Sequence, residues 1–514
     1  MPAKADIDFQ KDLFDAATKM RGSIAPADYK HYVLPLIFLR YLSNSYELKK
    51  DELHETVNDP NSGWYAPDKD TQQMLIEDRD MYQAENVFFV PEEARWSTIR
   101  DNAKQPNIKE ILDHAMQRLE EENPELEGML PQTFQGSNLS TDNVSGLIEI
   151  FSRDVFRADD EHSVDVLGRT YEYFISEFAS TEGNRGGEFY TPYSVVSLLV
   201  SMLEPQEGQV LDPACGSGGM FIQSENYTSR KSALSFHGQE NVMTTGRLGK
   251  MNILLHGINA DMRMGNSLLD DQFADLKADY VIANPPFNQS DWGADRISND
   301  DPRLVGTVTN SNANYMWMQH FFSHLNESGT AGFVMANGAM TTNLREEKTV
   351  REWYVDNGYI DCIVALPEKL FLSTGIPVCL FFLSKNRDGK AGYRQRDNEI
   401  LFIDARQKGS LVSRRQKALS TEEIEEIANV YHNFKYDADE VEETPGFSKI
   451  ATLDEVKEND YKLTPGIYVG VEEEEDDGTP FEEKMEGLRT QLLEQFEESN
   501  RLQEKIKKDL EGLL

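Results

Sequence analysis

Cysteine is scarce in this sequence. Its 514 residues include only Cys215, Cys362 and Cys379, and no two of them form a CxxC pair. Three thiols cannot build a disulfide framework, and without paired cysteines the sequence shows no zinc-binding pattern. We therefore expect a reducing, intracellular compartment and no metal site. The length suits two to four domains and is sufficient to bury large cores without such crosslinks.

Long apolar runs are missing as well. The most apolar early stretch, residues 33–39, is far too short to cross a bilayer. The N-terminal segment MPAKADIDFQ has no apolar core after a basic region, as a secretory signal would have. The sequence therefore predicts a cytoplasmic protein that makes no contact with a membrane.

Basic residues are outnumbered, with 51 Lys and Arg against 90 Asp and Glu and a net charge of −39. This balance argues against a general basic surface for nucleic acid and against docking on an anionic membrane. The deficit is uneven: residues 1–160 carry −14, residues 161–420 carry −7 and residues 421–514 carry −18. Within the middle part, residues 381–420 carry a local +6. That segment is either a solvated linker or a surface that contacts phosphate.

The spacing of apolar residues divides the chain at the same places. Residues 1–160 are predicted to be a helical domain, with loops at residues 51–82 around Pro60, Gly63 and Pro67. Residues 421–514 are predicted to be an acidic region that ends in an amphipathic helix. Such a helix must cover its apolar stripe against its own chain or against another subunit.

The middle region, residues 161–420, alternates short β-type runs with helical stretches, which predicts an α/β domain with a largely parallel sheet. In such sheets ligands bind beyond the carboxyl ends of the strands. The loops that follow these runs are therefore the candidate sites. The predicted strands are Gln209–Asp212, Ser235–Glu240, Asp279–Ala283, Gly332–Ala336, Ile360–Ala365 and Val378–Leu383.

The segment VIANPPF, residues 281–287, ends a strand-like run in Asn-Pro-Pro-Phe. Two prolines lack the N–H groups that a sheet requires, and their carbonyls are left to face a ligand. Asn284 adds an amide acceptor and Phe287 adds an aromatic face, so the segment fits a planar ring bearing an NH2 group. Taken alone, a simple Pro-Pro stop after a strand is an equally good interpretation.

A glycine-rich turn, LDPACGSGGMF at residues 211–221, also follows a predicted strand. Its glycines allow close approach of a ligand to the backbone, and Asp212 can accept from a ligand amine. The spacing matches neither a dinucleotide fingerprint nor a P-loop. A turn made only for helix–strand packing is the competing interpretation.

Three weaker segments accompany these two. Glu240 lies 21 positions after Gly219, where an acidic residue commonly binds ribose hydroxyls, although a solvated surface glutamate is the alternative. Asn266, in MGNSLLD, is placed to contact an adenine edge, or else belongs to an ordinary turn. The segment GGEFYTP, residues 186–192, precedes the glycine turn.

Taken in chain order, GEFYTP, DPACGSGG, GQE, GNSL and NPPF resemble the motif series of the amino-group DNA methyltransferases of the N6-adenine type. The FYTP element comes before the glycine motif, as in the gamma arrangement of that family. The chain most resembles the methylation (M) subunit of type I restriction–modification systems, and this similarity extends over most of its length. It implies a Rossmann-like methyltransferase domain with a mixed, mostly parallel seven-stranded sheet, a helical N-terminal domain and a C-terminal helical tail.

The resemblance also implies the cofactor and the site residues. S-adenosyl-L-methionine would be the methyl donor, and an adenine flipped out of double-stranded DNA would be the acceptor. The implied catalytic residues are Asn284, Pro285, Pro286 and Phe287. The implied cofactor-binding residues are Glu188, Phe189, Tyr190, Thr191, Pro192, Tyr193, Asp212, Pro213, Ala214, Gly216, Ser217, Gly218, Gly219, Glu240 and Asn266.

The partners implied by the resemblance are a specificity (S) subunit that chooses the DNA site, a second M subunit and a restriction (R) subunit. Methylation would then protect host DNA from restriction. None of the three cysteines follows a proline, which disfavours C5-cytosine chemistry. The alternatives are an N-methyltransferase acting on protein glutamine or RNA amines, and a non-catalytic scaffold. The polar segment 288–310 is either a loop that orders over DNA or a plain connection.

Overall fold

The computed structural model describes residues 4–157, 161–181, 190–371, 377–390, 392–413, 416–436 and 443–471, with short helical pieces between 485 and 503. It divides into two units, Met1–Val469 and Gly470–Leu514. The acidic run 472–477 and most of the predicted C-terminal helix lie outside the described residues. In the part of the chain that is described, no helix is both long enough and apolar enough to cross a membrane.

The first part of the chain is helical, as the apolar spacing predicts. One core joins these helices, with Leu13, Leu112 and Leu147 fully buried in it. Its helices are α1 (Lys4–Lys19), α2 (Pro26–Asn58), α3 (Lys69–Ile76), α4 (Arg79–Gln83), α5 (Trp96–Asp101), α6 (Ile108–Glu122), α7 (Thr141–Phe151) and α8 (Glu161–Thr181).

The loop prediction for residues 51–82 is wrong in part, because α2 runs to Asn58 and two short helices follow it. Both are capped locally. The Asp68 carboxylate accepts from the Thr71 N–H at the start of α3, and Asp78 accepts from Asp80 N–H at the start of α4. Ile76 is buried in the core, so packing and caps stabilise turns that lack apolar periodicity.

The middle region forms an α/β domain. Its helices are α9 (Tyr193–Leu203), α10 (Gly219–Tyr227), α11 (Met243–Leu255), α12 (Asn314–Ser323), α13 (Arg345–Asp356), α14 (Thr421–Tyr436) and α15 (Leu453–Glu458). Its strands are β1 (Gly208–Asp212), β2 (Leu234–Glu240), β3 (Ala260–Met264), β4 (Ala278–Ala283), β5 (Leu325–Ala336), β6 (Ile360–Ala365), β7 (Val378–Ser384), β8 (Glu399–Asp404) and β11 (Ser448–Thr452). A separate hairpin pairs β9 (Ser410–Leu411) with β10 (Lys417–Ala418).

The main sheet has nine strands in the order β11-β8-β6-β7-β5-β4-β1-β2-β3. Strands β7 and β11 are antiparallel to their neighbours, and the other pairings are parallel. The strand order reverses at β1, which has β2 on one side and β4 on the other. Ligands of open α/β sheets bind at such a reversal.

All six strands predicted from the sequence are confirmed, and the expected number of seven is corrected to nine. Strands β3 and β11 lie at the two edges and carry polar, partly exposed side chains, so neither reads as a buried strand. Strand β8 is buried along most of its length. It lies within residues 381–420, whose positive charge suggested a solvated linker or a surface that contacts phosphate.

Helices cover both faces of the sheet. Helices α9, α10 and α14 pack on one face, and α12 and α13 pack on the other. Buried side chains of α11, namely Leu248, Met251 and Leu255, belong instead to the core of the N-terminal helices. Because α14 packs on the sheet and β11 is its edge strand, although both follow residue 420, we propose that the α/β domain extends to about Val469.

The basic segment 381–420 is not a free cationic surface. Arg387 and Arg396 are buried, and both guanidinium groups contact the fully buried Asp361 at 3.1 and 2.8 Å. Most of the remaining described cations also have acidic partners. These pairs are Lys390–Asp388, Arg394–Glu399, Arg406–Asp404 and Lys408–Glu426. The proposal that this segment contacts phosphate is therefore corrected for the buried Arg387 and Arg396 and stays a prediction for its other described cations, while Arg414 and Arg415 lie outside the described residues.

The Asp361 carboxylate stabilises this corner of the sheet. It accepts from Arg396 Nη2 at 2.9 Å and from the Tyr431 hydroxyl at 2.7 Å, which joins β6 to α14. Burial opposes its ionised form, but the two guanidinium groups lower the pKa of Asp361 to about 2. A buried carboxylate shared by two buried cations is costly to remove, because both cations then lose their counter-charge.

We expect Asp361→Asn to lower the free energy of unfolding by about 3 to 5 kcal/mol. The urea concentration at half-unfolding, followed by tryptophan fluorescence, measures this change. Asp388→Asn, which breaks an exposed pair with Lys390, is the matched control and should leave the midpoint unchanged. Equal midpoints for the two variants would contradict the structural role of Asp361.

Candidate active site

Three neighbouring strands end in polar residues at the same edge of the sheet. Asp212 ends β1, Glu240 ends β2, and Asn284 follows β4 directly. The three strands are adjacent and parallel, so their carboxyl ends lie side by side at the reversal of strand order. The sequence prediction that these loops form one site is supported by this arrangement.

The glycine turn after β1 packs tightly against α11. Gly216 and Gly218 have positive φ values of 52° and 76°. A Cβ at Gly218 would lie 2.7 Å from Ile253, and one at Gly249 would lie 2.4 Å from the Gly216 carbonyl oxygen. Glycine is therefore required on both sides of this contact. The glycines therefore serve close packing between the turn and α11, and binding of a ligand by the turn stays a prediction.

Glu240 is bonded to the glycine turn and is not a solvated surface residue. Its Oε2 accepts from the Gly216 N–H at 3.0 Å, and its Oε1 accepts from the Val242 N–H at 2.8 Å. Burial raises the pKa of this carboxyl group. Each carboxylate oxygen retains a further lone pair, so a ligand hydroxyl can still donate to Glu240.

Asp212 is buried at the base of the turn, with 1% of its surface exposed. Its Oδ1 accepts from the Ala214 N–H at 3.0 Å. Burial, with a smaller contribution from the charge of Glu240, raises the pKa of Asp212 to about 8. A cation bound beside this buried carboxyl group would favour its ionised form, which makes Asp212 a candidate partner for a cationic ligand group.

Asn284 contacts a residue from a distant part of the chain. Its Nδ2 donates to Thr191 Oγ1 at 2.9 Å, across 93 positions of sequence. Its Oδ1 is buried and has no hydrogen-bond partner among the residues that the structure describes. A buried carbonyl oxygen without a partner is costly, and a ligand that donates a hydrogen bond would remove that cost.

The other residues of the NPPF segment follow Asn284 directly in the chain. Pro285 is buried, while Pro286 and Phe287 are half-buried. The ring of Phe287 meets Phe371 edge-on, with centroids 6.0 Å apart. That contact fixes the ring plane and leaves part of the ring surface accessible to a ligand.

The FYTP segment lies beside Asn284, although Glu188 and Phe189 are outside the described residues. Tyr190 packs against the core of the N-terminal helices, and burial raises its pKa to about 12. Thr191 and Pro192 lead into α9, whose first residue, Tyr193, is exposed. The roles of these residues in cofactor binding remain predictions.

Asn266 closes a turn. Its Oδ1 accepts from the N–H groups of Leu268 and Leu269 at 3.1 and 3.3 Å, which is the ordinary turn chemistry of asparagine. The amide nitrogen is not part of these bonds. The adjacent Ser267 hydroxyl, which sequence reasoning missed, donates to the Pro213 carbonyl oxygen at 2.6 Å and ties this turn to the glycine turn.

The segment 288–310 is held by specific bonds. The Trp292 indole is buried and donates to the Thr309 carbonyl oxygen at 2.9 Å. The Arg303 guanidinium donates to the Leu268 carbonyl oxygen at 3.0 Å and pairs with Asp301. Sequence reasoning did not identify these anchors, because a single Trp or Arg in a polar stretch gives no periodic signal. Whether DNA changes this segment remains untested.

One buried cluster offers atoms of the kind that bind metals, although the sequence predicted no metal site. Asp271, His320 and His324 lie within 4.8 Å of one another. The His324 ring donates to Asp271 Oδ2 at 2.9 Å, and Arg303 Nη1 lies 3.2 Å from His320 Nδ1. A guanidinium ion beside one candidate ligand opposes a second cation, so these contacts favour a hydrogen-bonded cluster.

Comparisons with known proteins identify the family of the chain. A family model described as N-6 DNA Methylase matches residues 162–477, and a model described as HsdM N-terminal domain matches residues 9–151. The type I restriction enzyme MjaIX methylase subunit of Methanocaldococcus jannaschii is 41% identical over 98% of this chain and 91% of its own length. The HindI methylase subunit of Haemophilus influenzae is 39% identical over 82% of this chain and 99% of its own length.

A solved structure shares the fold. The type I restriction-modification system methyltransferase subunit from Streptococcus thermophilus has a TM-score of 0.74 and 24% identity to this chain. The match covers 90% of this chain and 99% of that subunit. The shared fold therefore includes the helical region as well as the sheet.

The raised pKa of Asp212 predicts a pH-dependent cost to stability. An unfolded Asp has a pKa near 4, so between pH 4 and 8 the folded state holds a proton that the unfolded state has lost. Stability contributed by this residue therefore falls as the pH rises through that window. We expect Asp212→Asn to be more stable than the parent at pH 8, with a smaller difference at pH 5.

Thermal unfolding of the two proteins at both pH values measures this effect. Asp271→Asn is a control of opposite sign. Although burial opposes ionisation of Asp271, its hydrogen bond with His324 lowers the pKa to about 2, so removing the charge should destabilise the protein at pH 8. A parent protein more stable than Asp212→Asn at pH 8 would contradict the buried, protonated state.

Proposed function

The chain belongs to the N-6 DNA methylase family as a type I methylase subunit, and from this premise we propose how its site performs adenine methylation. The substrate is an adenine flipped out of double-stranded DNA, because N6 cannot be reached in line within the duplex. The acceptor site is the Asn-Pro-Pro-Phe segment at the end of β4. The methyl-donor site is the glycine turn at the end of β1.

The observation that carries this proposal is the buried amide oxygen of Asn284, which has no hydrogen-bond partner among the described residues. The exocyclic amine of adenine is a poor nucleophile, because its lone pair is delocalised into the ring. Two hydrogen bonds, accepted by Asn284 Oδ1 and the Pro285 carbonyl, favour the tetrahedral geometry that frees this lone pair. They strengthen as the transition state forms, so no general base is strictly required.

The ring of Phe287 supplies the stacking surface for the flipped base. Its edge-on contact with Phe371 holds the plane in place before the base arrives, which reduces the entropy lost on binding. In the reaction the bond between N6 and the methyl carbon forms as the bond between that carbon and sulfur breaks. The surplus proton on N6 then leaves to solvent.

The residues around the glycine turn fit S-adenosylmethionine, which supplies a methyl group made electrophilic by a positively charged sulfur. Asp212 is a buried carboxyl group that can pair with the ammonium of the methionine part. Glu240 retains lone pairs that can accept from the ribose hydroxyls. Its hydrogen bond with the Gly216 N–H fixes the end of β2 relative to the glycine turn. We propose that Tyr190 to Tyr193 also contact this cofactor and that Asn266 contacts its adenine.

The partners proposed for this chain are a specificity subunit that selects the DNA site, a second methylation subunit and a restriction subunit. The charge of the chain supports the assignment of DNA binding mainly to other subunits. The net charge is −39, and most of the described cations of residues 381–420 are paired within the chain. A segment whose cations are mostly paired gains less from phosphate contacts, which supports a share of the DNA affinity coming from another subunit.

Asn284→Ala is expected to reduce methyl transfer by at least about a hundredfold, because it removes a transition-state acceptor. The affinity for S-adenosylmethionine should be nearly unchanged, because Asn284 holds the other substrate. Tritium transfer from labelled cofactor to unmethylated genomic DNA, in the presence of the specificity subunit, measures the first quantity, and calorimetric titration measures the second. Asn459→Ala, at an exposed helix end, is the matched control. Full transfer by Asn284→Ala would remove the catalytic assignment.

The isolated chain should bind S-adenosylmethionine but methylate DNA poorly, because site selection is assigned to the specificity subunit. Adding that subunit should restore transfer and confine it to one sequence, as methylome sequencing of the product would show. Strong site-specific methylation by the chain alone would contradict the proposed dependence. Absence of transfer even with the specificity subunit would favour a scaffold role.

A further inference from the structure

A single hydrogen bond joins two motifs that are distant in sequence. Thr191 lies just before α9, Asn284 lies just after β4, and the Thr191 hydroxyl oxygen accepts from the Asn284 amide nitrogen at 2.9 Å. Both residues are half-buried, where such a bond is partly shielded from water. In this structure the nitrogen end of the Asn284 amide faces Thr191 and donates to its hydroxyl oxygen.

The orientation of this amide matters because its two ends have opposite chemistry. The oxygen is an acceptor and the nitrogen carries two donors. With the nitrogen on Thr191, the oxygen lies buried and without a partner among the described residues. With the amide reversed, an NH2 group would face the NH2 group of the substrate, and donor would meet donor. Only the first orientation can accept a hydrogen bond from adenine N6.

We propose that Thr191 is a positioning residue that orients the Asn284 amide oxygen toward the target amine. The proposal rests on the catalytic role proposed for Asn284. It adds a role for Thr191 that is separate from cofactor contact. A hydroxyl that accepts from Asn284 can still donate its own hydrogen, so the two roles are compatible.

The backbone at Thr191 is well placed for such a role. Pro192 is buried with an extended backbone (φ −56°, ψ 137°) and is the N-cap residue of α9. Its carbonyl oxygen accepts from Val195 N–H at 2.9 Å, and Val195 is buried in the core under the sheet. Thr191 is thus attached to a rigid helix start, and its hydroxyl can hold a partner in one geometry.

Thr191→Val tests the proposal, because valine keeps the shape of the side chain and removes the hydroxyl. We expect methyl transfer in a single turnover to slow by about tenfold or more, because a buried amide donor loses its acceptor. The dissociation constant for S-adenosylmethionine should change by less than about twofold. Thr191→Ser keeps the hydroxyl and should restore transfer to near the parental rate.

The assay uses the chain with its specificity subunit, tritiated S-adenosylmethionine and unmethylated genomic DNA, with Asn284→Ala measured beside it. Parental transfer by Thr191→Val would overturn the proposal, and so would a Thr191→Ser variant as slow as Thr191→Val. A loss of cofactor affinity that accounts for the whole loss of rate would show a cofactor contact instead. If Asn284→Ala itself remains fully active, the proposed function fails first and independently.

Discussion

The direction of three adjacent strands is the constraint on which the rest of this structure depends. Strands β1, β2 and β4 run parallel and are neighbours at the point where the strand order reverses. Parallel strands end at one edge, so the side chains that follow them must share one crevice. Glycine at 218 and at 249 lets α11 approach the first turn closely, and Glu240 at the end of β2 accepts from the Gly216 N–H of that turn.

Buried carboxylates serve two different purposes in this sheet. Asp361 is surrounded by guanidinium groups, which lower its pKa to about 2 and make its charge part of the fold. Asp212 is equally buried but has no such cations beside it among its described contacts, and burial raises its pKa to about 8. The first arrangement stabilises the protein as it stands. The second costs stability until a cation binds, which is the usual compromise at a functional site.

The acidic character of the chain has a structural counterpart. Residues 381–420 look cationic in sequence, yet Arg387 and Arg396 are buried against Asp361, and other cations of the segment pair at the surface. Much of this positive charge is thus neutralised within the chain, where the contacts with Asp361 hold β6, β8 and α14 together. This arrangement supports the proposal that the grip on DNA comes mainly from another subunit.

Much of the site could be predicted from the sequence, because strand ends, glycine turns and Pro-Pro stops are local features of neighbouring residues. Asp212, Glu240 and Asn284 were placed after the correct strands on that basis alone. The edge strands β3 and β11 were missed, because short polar segments become strands only by pairing with a neighbour. The hydrogen bond between Thr191 and Asn284, the bond between Glu240 and Gly216, and the burial of Arg387 and Arg396 were decided by tertiary structure. These contacts join residues far apart in the chain, and their geometry follows from the packing of whole helices and strands.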